Sequence, residues 1–118
     1  MPHLTLEYTS NLSNLNPSSV LDQFNQALIA SEQFEEPDIK SRALRLEDFA
    51  IGEASEGRGF VHVRLAILSG RSPETKSDLS HRLLAVLEKA CPPVAGLRCQ
   101  LSVEVQDIDR ASYAKAST

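Results

Sequence analysis

The 118 residues divide into two stretches of similar length, and each reads as strand, helix, strand. In the first, Leu4, Leu6 and Tyr8 alternate with Thr5 and Glu7, the period of a strand with one apolar face. Asn16-Pro17 marks a helix start, because Asn accepts from free backbone N–H groups and Pro has none to waste. Val20, Leu21, Phe24, Ala27 and Leu28 recur at helical spacing until about Ser31. Residues 35–38 read as a loop, and a second strand is predicted over 39–49. Lys40 and Arg42 fall on one side of its start.

The second half repeats the order. Three glycines between Gly52 and Gly59 predict a hairpin-type loop. From Phe60 to Leu68, Val61, Val63, Leu65 and Ile67 form one apolar face. Ser72-Pro73-Glu74 caps and starts a helix whose buried stripe is Leu79, Leu83, Val86, Leu87 and Ala90, and Pro92-Pro93 stops it. A fourth strand is predicted over 97–108. The polar tail from Arg110, with Tyr113 its one large apolar group, is expected to be mobile unless a partner holds it.

The order β-α-β-β-α-β predicts one α+β domain over 1–118, a four-stranded mixed sheet with both helices on one face. A long strand-to-strand connection in each half suits a right-handed parallel crossover. Two architectures share this order, the ferredoxin-like fold and a pseudo-symmetric pair of β-α-β units. One helix layer covers one sheet face, so apolar residues on the other call for a second subunit.

Composition removes several function classes. Twelve Lys+Arg against sixteen Asp+Glu give a net charge of −4, with no basic block of the kind nucleic acid requires. No apolar run approaches the roughly 18 residues of a membrane span. The start, Met1-Pro2-His3, carries no secretory pattern, and Cys91 and Cys99 form no CxxC, so the expectation is reduced thiols in a cytoplasmic protein. No P-loop, GxGxxG, GxSxG or metal-ligand spacing is present.

The remaining chemistry is at isolated residues. If Met1 is removed, Pro2 becomes a secondary amine that titrates near neutrality, and burial beside cations makes it a base at pH 7. The plain alternative is that Met-Pro is a tolerated start. Arg71 precedes a helix N-terminus, where a guanidinium can grip a carboxylate through two hydrogen bonds; otherwise it is an exposed loop arginine. Lys40 and Arg42 either face one anionic ligand or, with Arg45, solvate a strand edge. His3 adjoins Pro2, while His62 reads as a hydrogen-bonded structural histidine.

Taken in order, Met1-Pro2-His3 with Leu6-Glu7-Tyr8, Ile39 to Leu46, Phe60-Val61-His62-Val63 leading to Ser69-Gly70-Arg71-Ser72, and Leu101 to Val105 resemble the 5-carboxymethyl-2-hydroxymuconate isomerases of the tautomerase superfamily. The resemblance implies the pseudo-symmetric fold, a homotrimer with sites near subunit interfaces, and catalysis without a cofactor in homoprotocatechuate degradation. Pro2 matches the family's catalytic amino-terminal proline and Arg71 its substrate-binding arginine. Where the family commonly reads Arg-Ser-Arg, this chain has Lys40-Ser41-Arg42, a change that is not conservative at a bidentate site and leaves the exact substrate open.

The reading that follows is proton transfer in a 2-hydroxymuconate-type dienol, a small polycarboxylate, to give the 2-oxo unsaturated acid. Pro2 is the base and acid, and Lys40, Arg42 and Arg71 hold the carboxylates. Two alternatives stand beside it. One is a broader tautomerase or hydratase acting on other 2-oxo acids. The other is a non-catalytic trimeric binding module in which Met1 is retained.

Overall fold

A computed structural model describes residues 1–118. The element order is β1 (His3–Thr9), α1 (Pro17–Ala30), a 3-10 turn (Glu36–Asp38), β2 (Lys40–Leu46), β3 (Arg58–Leu68), α2 (Pro73–Ala90) and β4 (Arg98–Ile108). Both helices start as the sequence predicts. The Asn16 side chain accepts from Ser19 N–H and the Ser72 side chain from Thr75 N–H, with Pro at the first helical turn in each.

The sheet order is β2-β1-β3-β4. β1 and β2 are parallel, β3 and β4 are parallel, and β1 and β3 join the two units antiparallel. Each β-α-β unit therefore pairs its own two strands, which selects the pseudo-symmetric architecture over the ferredoxin-like one.

Two sequence expectations need correction. The 52–59 loop is not a hairpin: β2 and β3 are not neighbours, because β1 lies between them. β2 also stops at Leu46 rather than continuing to 49. Its partner strand ends there, with Thr9 opposite Leu46 and Ser10 N–H donating to the Leu46 carbonyl, so no ladder remains to hold an extended chain.

The core lies between the sheet and the helices. Leu4, Leu6, Val61, Val63, Leu65 and Ile67 pack against Phe24, Leu28, Leu79, Leu83 and Leu87, all fully buried. Each such side chain contributes roughly 1.5–3 kcal/mol by leaving water. The opposite sheet face has no covering layer. There Arg64 Nε donates to Glu104 Oε1 at 2.8 Å, Gln106 donates to the same oxygen at 2.9 Å, and His62 Nδ1 lies 2.7 Å from Ser102 Oγ.

The tail turns back on its own chain. Arg110 Nε donates to the Ser69 carbonyl at 2.8 Å, and a turn at 109–112 is closed by Ser112 N–H on the Asp109 carbonyl. β4 ends beside the C-terminus of β3, and antiparallel pairing puts the start of β1 at that same end. The turn thus delivers Tyr113 and Lys115 to the amino terminus.

Candidate active site

Pro2 is buried at the head of β1, and its carbonyl accepts from Lys40 N–H at 3.2 Å. The parallel register pairs His3 with Lys40 and Thr5 with Arg42, so Lys40, Arg42 and His3 share the uncovered sheet face. Arg42 donates to His3 Nδ1 at 2.8 Å. A guanidinium cannot accept, so the His3 proton sits on Nε2, which donates to the Tyr113 hydroxyl oxygen at 3.0 Å. The two rings meet edge to face with centroids 6.1 Å apart.

Arg71 reaches the same end from the loop before α2. Its Nε and one terminal nitrogen donate to the Gln33 side-chain and backbone oxygens at 3.2 and 2.7 Å, and its guanidinium lies 4.6 Å from the Phe34 ring centroid. Gln33 and Phe34 are placed by Glu32, which leaves α1 at φ 61°. The remaining N–H groups of Arg71 have no protein acceptor among these contacts.

Charge around the terminus is uneven. Burial is the main cause that holds the Met1 amine below its ordinary value; Asp38 opposes this, while Arg71, Lys115 and Lys40 reinforce it. His3 is likewise held below its ordinary value, first by burial and then by Arg42, Lys40 and the terminal amine. The Lys40 ammonium donates to the Asp38 carbonyl at 2.8 Å, and Lys115 bonds Asp38 Oδ1 at 3.2 Å and Met1 Sδ at 3.1 Å.

The four residues singled out in the sequence therefore meet at one end of the sheet. Pro2, Lys40 and Arg42 do so through strand register, and Arg71, held on Gln33 and Phe34, is near enough for its charge to act on the Met1 amine. Sequence reasoning missed Asp38, Gln33, Phe34 and Lys115. Tyr113 had a faint signal as the tail's single large apolar side chain.

Elsewhere the chemistry is sparse. Cavities of about 440 and 600 Å³ lie at the other end of β1, and neither touches Pro2, Lys40, Arg42 or Arg71. Burial pushes the Cys91 thiol up to about 11, with Cys99 adding to the shift, so Cys91 is a poor nucleophile near neutral pH. No group of three His, Cys, Asp or Glu side chains is arranged to hold a metal ion, and no helix is long and apolar enough to cross a membrane.

The family model for 5-carboxymethyl-2-hydroxymuconate isomerase matches residues 2–118, starting at the proline. The chain belongs to the 5-carboxymethyl-2-hydroxymuconate isomerase family. A solved structure of a 5-carboxymethyl-2-hydroxymuconate isomerase from Deinococcus radiodurans R1 is 37% identical, with a TM-score of 0.91 over 99% of this chain and 90% of that one. A 5-carboxymethyl-2-hydroxymuconate delta-isomerase shares the fold at 19% identity, with a TM-score of 0.78 over 100% and 88% of the two chains. So does a fused 4-OT described as a symmetric trimer, at 14% identity and a TM-score of 0.76 over 97% and 91%. No curated protein sequence matches the chain. Family and fold together make it an isomerase of the tautomerase kind.

Proposed function

We propose that this isomerase converts a 2-hydroxymuconate-type dienol to its 2-oxo unsaturated isomer, with Pro2 as the proton carrier. The observation that carries the reading is the buried Pro2 behind a half-exposed Met1 amine, with Lys40 bonded to the Pro2 carbonyl, Lys115 against the Met1 side chain, Arg71 acting on the amine and Arg42 on the adjacent His3. Removal of Met1 turns the Pro2 nitrogen from an amide into a secondary amine. Burial and the surrounding cations keep that amine neutral near pH 7. The neutral nitrogen takes the 2-hydroxyl proton. The conjugated system gains a proton at a distant carbon, returned from the protonated nitrogen. Lys40, Arg42 and Arg71 hold the carboxylates and stabilise charge developing on oxygen. No step calls for a cofactor. The reaction belongs to cytoplasmic breakdown of aromatic compounds such as homoprotocatechuate.

The working unit in this proposal is a homotrimer. The isolated chain exposes 7309 Å², whereas about 6,300 Å² is expected for a compact monomer of its mass. The excess and the uncovered sheet face suit a subunit that buries surface against copies of itself. The fused 4-OT neighbour is described as a symmetric trimer, which agrees with this choice.

Ketonisation of 2-hydroxymuconate, followed by ultraviolet absorbance, tests the reaction. Chemical blocking of the terminal nitrogen is expected to reduce turnover by on the order of 10²–10⁴, the usual contribution of a positioned acid–base group. Pro2→Ala retains a primary amine and loses less. Unchanged turnover after blocking rules Pro2 out as the base. Intact mass of the active protein reads Met1 removal directly, and an active enzyme that keeps Met1 removes the mechanism.

A broader specificity has one observation in its favour. Lys40 stands where the family commonly has arginine, and one of its three donors is taken by the Asp38 carbonyl. Equal turnover of mono- and tricarboxylate enols would favour that second reading.

A further inference from the structure

Lys115 arrives at the terminus on a segment that has neither helix nor strand, yet its approach is built. Arg110 clips the segment to Ser69, the 109–112 turn reverses it, and the Tyr113 hydroxyl accepts from His3. Two residues later the Lys115 ammonium sits 3.2 Å from Asp38 Oδ1 and 3.1 Å from Met1 Sδ. An ammonium has three donors. Asp38 fixes one, and a second points at the side chain that leaves when Met1 is removed. The processed enzyme therefore has a cation, anchored by Asp38, with a donor directed into the space beside Pro2.

We propose that Lys115 is a substrate-binding residue that holds a carboxylate of the dienol, so that the C-terminal segment completes the anion site. This rests on the proposed reading of the amino-terminal site and extends it to a residue 114 positions away from Met1. It predicts discrimination by ligand charge. The second carboxylate of a muconate needs a partner cation, whereas a monocarboxylate of the same carbon skeleton does not.

The test uses direct binding by titration calorimetry on the full-length enzyme with Met1 removed. The probes are trans,trans-muconate, a dianion, and sorbate, which has a methyl group in place of one carboxylate. Lys115→Met keeps the length of the stem and removes the charge. It is expected to weaken muconate binding about tenfold, the loss of one charge-assisted contact, and to change sorbate binding less than about threefold. Lys115→Arg is expected to restore muconate binding to within about threefold of wild type. Unchanged muconate affinity in Lys115→Met overturns the proposal. So does equal weakening of both probes, which marks a structural effect, and so does failure of the wild-type enzyme to bind muconate. The readout is binding, so a terminal nitrogen that proves dispensable for turnover leaves this assignment standing.

Discussion

His3 shows how one proton fixes a site. Arg42 can only donate, so the imidazole must present a bare Nδ1 to it and carry its proton on Nε2 toward Tyr113. A second proton would set N–H against N–H. Burial, Arg42, Lys40 and the terminal amine all disfavour the charged ring. The unfolded chain has no such constraint and takes up a proton near the ordinary value of about 6.5. Below that pH the unfolded state binds more protons, so stability falls as pH drops toward and through the lowered folded value. Above it this contribution is fully present. Urea midpoints at pH 7.5 and 5.5 check this: wild type is expected to lose more stability between them than His3→Gln. Equal losses would show that His3 carries no such linkage. His3 directly follows Pro2, so its place beside the terminus is legible in the sequence. The Tyr113 partner is not, because it lies 110 residues away.

Glu32 decides where α1 delivers its chain. At φ 61° it occupies the left-handed region just past the Ser31 cap, a position usually taken by glycine. Its N–H still reaches the Ile29 carbonyl at 3.1 Å, and the turn places Gln33 and Phe34 against Arg71. A non-glycine residue there costs about 1–2 kcal/mol. Glu32→Gly is expected to raise stability by about 1 kcal/mol in denaturant unfolding, with the Arg71 contacts kept. A stability loss would mean that Glu32 makes up for its backbone cost in some other way. Elements were mostly readable. Ser72-Pro73 and Asn16-Pro17 start helices through local hydrogen bonding, and 60–68 alternates without a break. The reach of β2 was not, because a strand lasts only as long as its neighbour, and β1 ends at Thr9.

The molecule as a whole is open. Its radius of gyration is 15.3 Å, against about 13.5 Å for a compact chain of this length, and 16 of 118 residues are buried. One sheet face has no covering layer in the single chain, and Leu44 is 50% exposed on it. Light scattering on the purified protein is expected to give about 39 kDa, three times the chain mass of 12.9 kDa. A mass near that of one chain at micromolar concentration would remove the trimer and leave the open face without a purpose.

Alternation, helix caps and the residue types at positions 2, 40, 42 and 71 are properties of neighbouring residues, so the chain's own order determined the two β-α-β units and the chemistry available to them. The strand order 2-1-3-4, and with it the meeting of Pro2, Arg71, Tyr113 and Lys115, belongs to the tertiary structure alone. Contacts such as Lys115 to Asp38 close 77 residues of chain and leave no periodic trace along it, because they arise only once β1 has been inserted between β2 and β3.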